Sequence, residues 1–160
     1  MQTAEDVMGD KTMPVTGGCL CGAVRYEAEA FLHNASYCHC RMCQRASGAP
    51  VQVSVFIRPE TLRFTSGEPK YYQSSSFGER GFCPNCGSQL IWRSRSAEHP
   101  EWTNLGVGCL DHPEHFVPAS HEGVESQLPW FNIDDDLPRR RTEDDPEVAA
   151  AWAVVDQGKE

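Results

Sequence analysis

Seven of the eight cysteines of this chain fall into three tight clusters. Cys19 and Cys21 form a C-x-C pair, and Cys83 and Cys86 form a C-x-x-C pair in Phe-Cys-Pro-Asn-Cys-Gly. Cys38, Cys40 and Cys43 form a C-x-C-x-x-C trio with His39 inside it. Thiolates held this close by the backbone chelate one soft or borderline metal ion, zinc being the usual one. Two pairs make a closed four-sulfur site. A trio makes a three-sulfur site with one corner left over. Whatever the chain folds into must bring Cys19 and Cys21 to Cys83 and Cys86, and that requirement constrains the topology before any strand is assigned.

The composition agrees with a reduced, metal-binding domain. A chain of 160 residues makes one domain with a real core, so zinc adds to that core and does not replace it. The formal charge of −9 and a pI near 5.1 argue against general nucleic-acid binding. No apolar run reaches the length of a membrane span. Met1 to Met13 is polar and acidic and lacks the apolar stretch of a secretory signal. The expected compartment is the cytoplasm, where a cysteine pattern reads as metal or catalysis before disulfides.

Around the cysteines the chain reads as short strands. Val24, Tyr26 and Ala28 alternate with Arg25, Glu27 and Glu29, as in a half-buried strand. Val51, Val53, Val55 and Ile57 alternate with polar neighbours in the same way. Leu62–Thr65, Tyr71–Ser74, Gly78–Phe82, Ser88–Arg93 and Trp102–Gly108 are further strand candidates. Gly17 and Gly18 mark an expected turn, and Arg41–Ser47 an expected short helix. Strands joined by Gly, Pro and Ser turns predict a mainly β fold of antiparallel sheets. Asp145 as N-cap, Pro146 at the first helical position and Glu147 in the first turn predict a C-terminal helix over Pro146–Val155, with Val148, Trp152 and Val155 on its apolar face. The expected division is a flexible leader over 1–14, a zinc-binding domain over 15–138, and an extension over 139–160 that carries the short helix.

The two kinds of cluster predict two roles. Gly18, Gly22 and Gly87 flank the pairs, as tight ligand turns require, so Cys19, Cys21, Cys83 and Cys86 are expected to hold a structural zinc. Cys38, Cys40 and Cys43 are expected to hold a second, catalytic zinc, because an open corner distinguishes a catalytic site. That corner is open to water, a substrate thiol, His39 or Cys109. Cys109 reads more simply as a small buried strand residue, and His39 as a hydrogen-bond donor or a proton carrier beside the site. Arg41 and Arg45 are candidates for a basic patch that receives carboxylates. Tyr71, Tyr72, Trp102, Trp130 and Phe131 are candidate pocket aromatics, although such residues more often fill a β core.

Taken in order, Gly17-Gly-Cys19-Leu-Cys21-Gly-Ala-Val-Arg-Tyr26, Cys38-His-Cys40-Arg-Met-Cys43-Gln-Arg45 and Phe82-Cys83-Pro-Asn-Cys86-Gly87 resemble the glutathione-dependent formaldehyde-activating enzyme family. Centromere protein V-type proteins also represent that family. The likeness continues through Gly108-Cys-Leu-Asp111 and Leu128-Pro-Trp-Phe-Asn-Ile-Asp-Asp-Asp-Leu-Pro138. It implies a zinc-bound β-tent fold, with a structural zinc at the two pairs and a second zinc at the trio, two per chain. It implies carbon–sulfur lyase activity, the joining of formaldehyde or another small aldehyde to glutathione or a related thiol. The alternative is a non-catalytic zinc module that docks on a protein partner. Oligomeric state is not legible in the sequence. Cys109 and the C-terminal helix depart from the family pattern.

Overall fold

The computed structural model describes residues 11–156, and the side chains of all of these except 151, 152 and 154–156. The architecture is mainly β: two sheets and a short C-terminal helix, the class that the resemblance implied.

The alternation that predicts the first strand does what it should. In β2 (Arg25–Phe31), Tyr26, Ala28 and Ala30 are buried while Arg25, Glu27 and Glu29 stay half exposed. β1 (Thr12–Gly18) pairs antiparallel along one edge of β2, from Thr12 opposite Phe31 to Gly18 opposite Arg25. β5 (Arg63–Ser66) pairs along the other edge, completing a three-stranded sheet. The strand β1 corrects two expectations. Residues 12–14, read as the end of a flexible leader, are paired strand, and Gly17 and Gly18 end that strand and do not form a turn. Residues 1–10 of the expected leader lie outside the described residues.

The second sheet has eight strands. They are β3 (Ser36–Cys38), β4 (Gln52–Phe56), β6 (Lys70–Gln73), β7 (Gly78–Phe82), β8 (Gln89–Ser94), β9 (Thr103–Gly106), β10 (Ser120–Glu122) and β11 (Arg139–Arg140). Their spatial order is β11-β10-β3-β4-β9-β8-β7-β6. Most pairs are antiparallel, as expected. β10 departs from this, running parallel to both β3 and β11. β9 is shorter than the expected Trp102–Gly108, because residues Val107–Cys109 turn into a 3-10 helix.

The sheets share one core. Val15, Tyr26 and Ala28 from the smaller sheet, with Val24 just before β2, meet Val55, Ile57, Leu90, Ile91 and Leu105 from the larger region. Burying each such aliphatic side chain stabilises the fold by about 1.5–3 kcal/mol. Isolated bridges at Ala30–Ile57 and Gly17–Leu110 stitch the sheets together. Helix α1 (Arg41–Ser47) follows β3 and ends at Gly48, as expected. Helix α2 (Pro146–Asp156) closes the described chain. Its N-cap reading holds: the Asp145 Oδ1 accepts from the backbone N–H of Glu147 at 3.0 Å and of Val148 at 3.1 Å. The side chains of Trp152 and Val155, expected on its apolar face, lie outside those described. No helix among the described residues is long and apolar enough to cross a membrane.

Candidate metal centres

The strand order brings the two cysteine pairs together. Cys19 and Cys21 follow β1 in the smaller sheet, while Cys83 and Cys86 lie in the turn between β7 and β8 of the larger one. Their four sulfurs all lie within 4.8 Å of one another. Cys19 Sγ is 3.6 Å from Cys21 Sγ, and Cys21 Sγ is 3.8 Å from Cys83 Sγ. A tetrahedron with metal–sulfur bonds of about 2.3 Å has edges of about 3.8 Å, so these thiols fit one ion. Gly22 and Gly87 close the two turns at φ 79° and 78°, a conformation that side chains with a Cβ resist.

Donors surround these sulfurs as they surround thiolates. The Val24 N–H points at Cys19 Sγ at 3.2 Å, and the Asn85 amide reaches Cys21 Sγ at 3.2 Å. The Asn85 and Cys86 N–H groups reach Cys83 Sγ. Hydrogen bonds from the Ser88 hydroxyl and backbone hold the Cys86 thiol down at about 5. Ser88 also accepts the Leu20 N–H at 3.0 Å, which links the two cysteine turns directly.

The trio is built locally. Cys38 ends β3, Cys40 is the N-cap of α1, and Cys43 lies in its first turn. The Cys43 N–H donates to Cys40 Sγ at 3.3 Å, so the sulfur acts as the helix cap. The three sulfurs lie within 4.8 Å of one another, and no other histidine, cysteine or carboxylate joins them among the described residues. Cys43 is the thiol held well below its ordinary value: hydrogen bonds from Cys38 and Cys40 come first, then the Arg80 guanidinium. Hydrogen bonds to Cys40 and Cys43, with burial, push Cys38 well up.

Arg80 is the residue that cysteine spacing could not reveal. It sits in the middle of β7 and is only 8 % exposed. Its Nη2 lies 3.6 Å from Cys43 Sγ, and its Nη1 lies 3.4 Å from Gln52 Oε1 on β4. With its amide turned to suit its neighbours, Gln89 on β8 accepts from Arg80 at 3.0 Å and donates to the Ala46 carbonyl at 3.0 Å. Arg41 and Arg45, expected beside the trio, are exposed and make no hydrogen bond to its sulfurs among the described residues.

His39 goes elsewhere. Its ring is fully buried, and its Nε2 lies 2.8 Å from Nδ1 of His121 on β10. His121 Nε2 in turn lies 3.1 Å from the Asp135 carboxylate. The carboxylate accepts, so His121 carries its proton on Nε2 and accepts from His39 Nε2–H on Nδ1. That leaves His39 Nδ1 as a buried acceptor without a partner among the described residues. Burial, with help from His121 and Arg139, lowers the pKa of His39. Its contacts are with His121 and Phe131, so the chain gives it the job of a clasp on the Leu128–Pro138 segment. Neither His121 nor Asp135 was visible as a partner in the sequence.

Cys109 stands apart from the trio. It ends the 3-10 turn, half-buried, and its thiol donates to the Gln89 carbonyl at 3.3 Å. Burial raises its pKa, and the charges of Cys19 and Cys86 add to that. The candidate aromatics divide. Tyr71 lies under the Arg93 guanidinium at 3.8 Å, Trp102 stacks on His99 at 3.9 Å, and Phe131 lies 6.4 Å from the His39 ring. Tyr72 and Trp130 are exposed. A groove of about 500 Å³ lies on the smaller sheet, between Met13, Glu27, Leu110, His112 and Phe116, and holds no thiol. The clustered thiols lie outside this groove. Two of its lining residues, His112 and His115, bring ligand atoms within 4.8 Å of one another and of Glu114, all three residues exposed.

Known proteins share these features. The family model of the glutathione-dependent formaldehyde-activating enzyme matches residues 14–126, a span that includes all seven clustered cysteines. An uncharacterized lyase of Schizosaccharomyces pombe is 32 % identical over 88 residues, which is 55 % of this chain and 64 % of the relative. The match therefore spans less than two thirds of that relative's length. A crystal structure of a Rhodobacter sphaeroides protein superposes with a TM-score of 0.50 at 23 % identity, covering 78 % of this chain and 99 % of that one. At that identity the likeness speaks for the fold alone.

Proposed function

The chain belongs to the glutathione-dependent formaldehyde-activating enzyme family, and from that premise we propose that it is a zinc-dependent carbon–sulfur lyase that joins formaldehyde, or a similar small aldehyde, to glutathione or a related thiol. The observation that carries this reading is the set of three gathered sulfurs with no fourth protein ligand among the described residues. In this reading Cys19, Cys21, Cys83 and Cys86 hold a structural zinc, and Cys38, Cys40 and Cys43 hold the second. When bound at the trio, zinc supplies a place for a thiol and favours its thiolate form.

The chain's own residues do the rest. Three thiolates repel a fourth negative group, and Arg80 beside Cys43 offsets that repulsion. Gln52 and Gln89 hold the guanidinium in place, so it does not have to reorganise when substrate arrives. The reaction forms one carbon–sulfur bond. The thiol gives its proton to water, its sulfur adds to the aldehyde carbon as the C=O π bond opens onto oxygen, and that oxygen takes a proton back from water. Nothing is oxidised or reduced. His39 is not assigned the proton transfer, because its Nε2 is committed to His121.

Exchange spectroscopy on mixtures of formaldehyde, glutathione and their adduct measures the reaction against its appreciable uncatalysed background. The wild-type protein is expected to accelerate exchange and Cys40→Ser to lose that acceleration. Equal rates for wild type, Cys40→Ser and buffer would end the formaldehyde assignment. Two metals held equally tightly and indifferent to thiols would favour the interaction-module alternative.

A further inference from the structure

Arg80 poses a charge problem. A guanidinium cannot shed its proton, and one that is nine-tenths buried needs a counter-ion. The neighbouring carboxylate on its own strand, Glu79, is taken by Arg93 at 2.5 Å and Arg95 at 3.1 Å. No carboxylate forms an ion pair with Arg80 among the described residues, and Gln52 and Gln89 are neutral. The negative group that remains is the sulfur trio, touched through Cys43. Three thiolates and one divalent ion leave a single negative charge, which one guanidinium cancels.

We propose that Arg80 is the specificity-determining residue of the trio: it neutralises the metal-loaded sulfurs and biases the remaining corner toward thiols that carry negative charge. This rests on the reading of the trio as a thiol-accepting metal centre. Without Arg80, a ligand thiolate would join a site that is already negative. With Arg80, it joins a neutral one, and any further carboxylate on the ligand meets a positive field in a medium of low dielectric. Glutathione, with its carboxylates, falls within that class, and so does any small acidic thiol. Gln52 and Gln89 satisfy the outward face of the guanidinium without neutralising it, so its charge is directed at the sulfurs.

Cobalt(II) loaded at the trio gives sulfur-to-metal charge-transfer absorption that reports thiol binding without turnover. The probes are 3-mercaptopropionate and cysteamine, thiols of equal length and opposite charge. The affinity ratio between the two is compared in wild type, Arg80→Gln, Arg80→Met and Arg80→Lys, so that the intrinsic difference between the thiols cancels. The ratio in favour of mercaptopropionate is expected to fall at least tenfold in Arg80→Gln and Arg80→Met. It should stay within threefold of wild type in Arg80→Lys, which keeps the charge. A chelator should also strip cobalt from the trio at least tenfold faster in the two neutral variants, with the four-sulfur site still loaded.

An unchanged ratio in a folded neutral variant overturns the proposal. So does a lost preference in folded Arg80→Lys, which also decides the matter if the neutral variants do not fold. If the wild-type protein takes up neither probe, the thiol reading of the site fails. The charge role then stands or falls on chelator release alone, and wild-type release rates in Arg80→Gln or Arg80→Met overturn it.

Discussion

The sulfur atoms of Cys21 and Cys83 lie 3.8 Å apart, although 62 residues separate them in the chain. One belongs to the turn after β1 and the other to the turn after β7, so this contact closes the smaller sheet onto the larger. The Leu20–Ser88 hydrogen bond runs across the same junction. A metal ion here binds the folded chain and not the unfolded one, so its binding energy becomes folding energy. Structural zinc is worth about 10–16 kcal/mol in small peptides, against a total of roughly 5–15 kcal/mol for a domain. Cys86→Ala is therefore expected to lose one metal per chain and to lower the melting point by more than about 10 °C, which corresponds to a loss of several kcal/mol. Calorimetry with metal analysis measures both. Full metal content with an unchanged melting point would remove the four-sulfur site.

The trio should behave differently, because all of its ligands come from one short segment. Cys40→Ser is the informative change. Serine is a good N-cap and keeps an acceptor where Cys40 Sγ now accepts the Cys43 N–H, so α1 survives the substitution. The variant is expected to melt cooperatively within a few degrees of wild type while losing the second metal. If it unfolds as thoroughly as Cys86→Ala, the trio is a structural site.

Much of this was legible. Cysteine spacing gave both clusters, alternation gave β2 and β4, and Asp145-Pro146-Glu147 gave the start of α2. What the sequence withheld depends on partners distant in the chain. Arg80 reads as an ordinary strand residue until α1 and β8 are laid against it. The β10 strand is the tripeptide Ser-His-Glu, too short and polar to carry a β signal, and its parallel pairing with β3 places His121 on His39. Cys109, read as a small buried strand residue, lies just past the strand candidate Trp102–Gly108. The 3-10 turn after Gly106 sends its thiol to the Gln89 carbonyl instead.

The family-like segment ending at Asp111 carries an ion pair whose pH dependence has a definite sign. Asp111 pairs with the Arg25 guanidinium and accepts the Thr16 hydroxyl at 2.6 Å. These partners, Arg25 first, lower its carboxyl to about 2, against about 3.9 in an unfolded chain. A group depressed in the folded state contributes stability above its unfolded value and loses it as pH falls through the folded one. Both side chains are more than a third exposed, so solvent screening limits the contribution to about 0.5–1 kcal/mol. Urea denaturation of Asp111→Asn beside wild type should show a constant deficit from pH 8 to about 5. The deficit should close between about pH 4 and 2, where both variants lose any metal-borne stability alike. A deficit that changes between pH 8 and 6 would assign the effect to another group.

The His39–His121–Asp135 clasp joins the trio segment to the stretch that ends in β11. Both rings are essentially inaccessible to solvent. His121→Ala removes the acceptor for His39 Nε2–H and leaves a cavity between Tyr37, which stacks on His121 at 4.8 Å, and His39, which stacks on it at 5.1 Å. An unpaired buried donor costs about 1–3 kcal/mol, and the cavity adds to that. The expected loss is about 2–4 kcal/mol by urea denaturation. Amide exchange in residues 128–140 should quicken, because the partners Asp135 then keeps, Arg139 and the Leu137 N–H, lie within that same segment. Asp135→Asn keeps an oxygen that accepts from His121 Nε2, so its loss should stay near 1 kcal/mol. The two variants separate the clasp from a generic core defect: a cavity alone would leave exchange in 128–140 no faster than elsewhere. A loss below about 1 kcal/mol in His121→Ala, with protection unchanged, would mean that the two imidazoles merely touch.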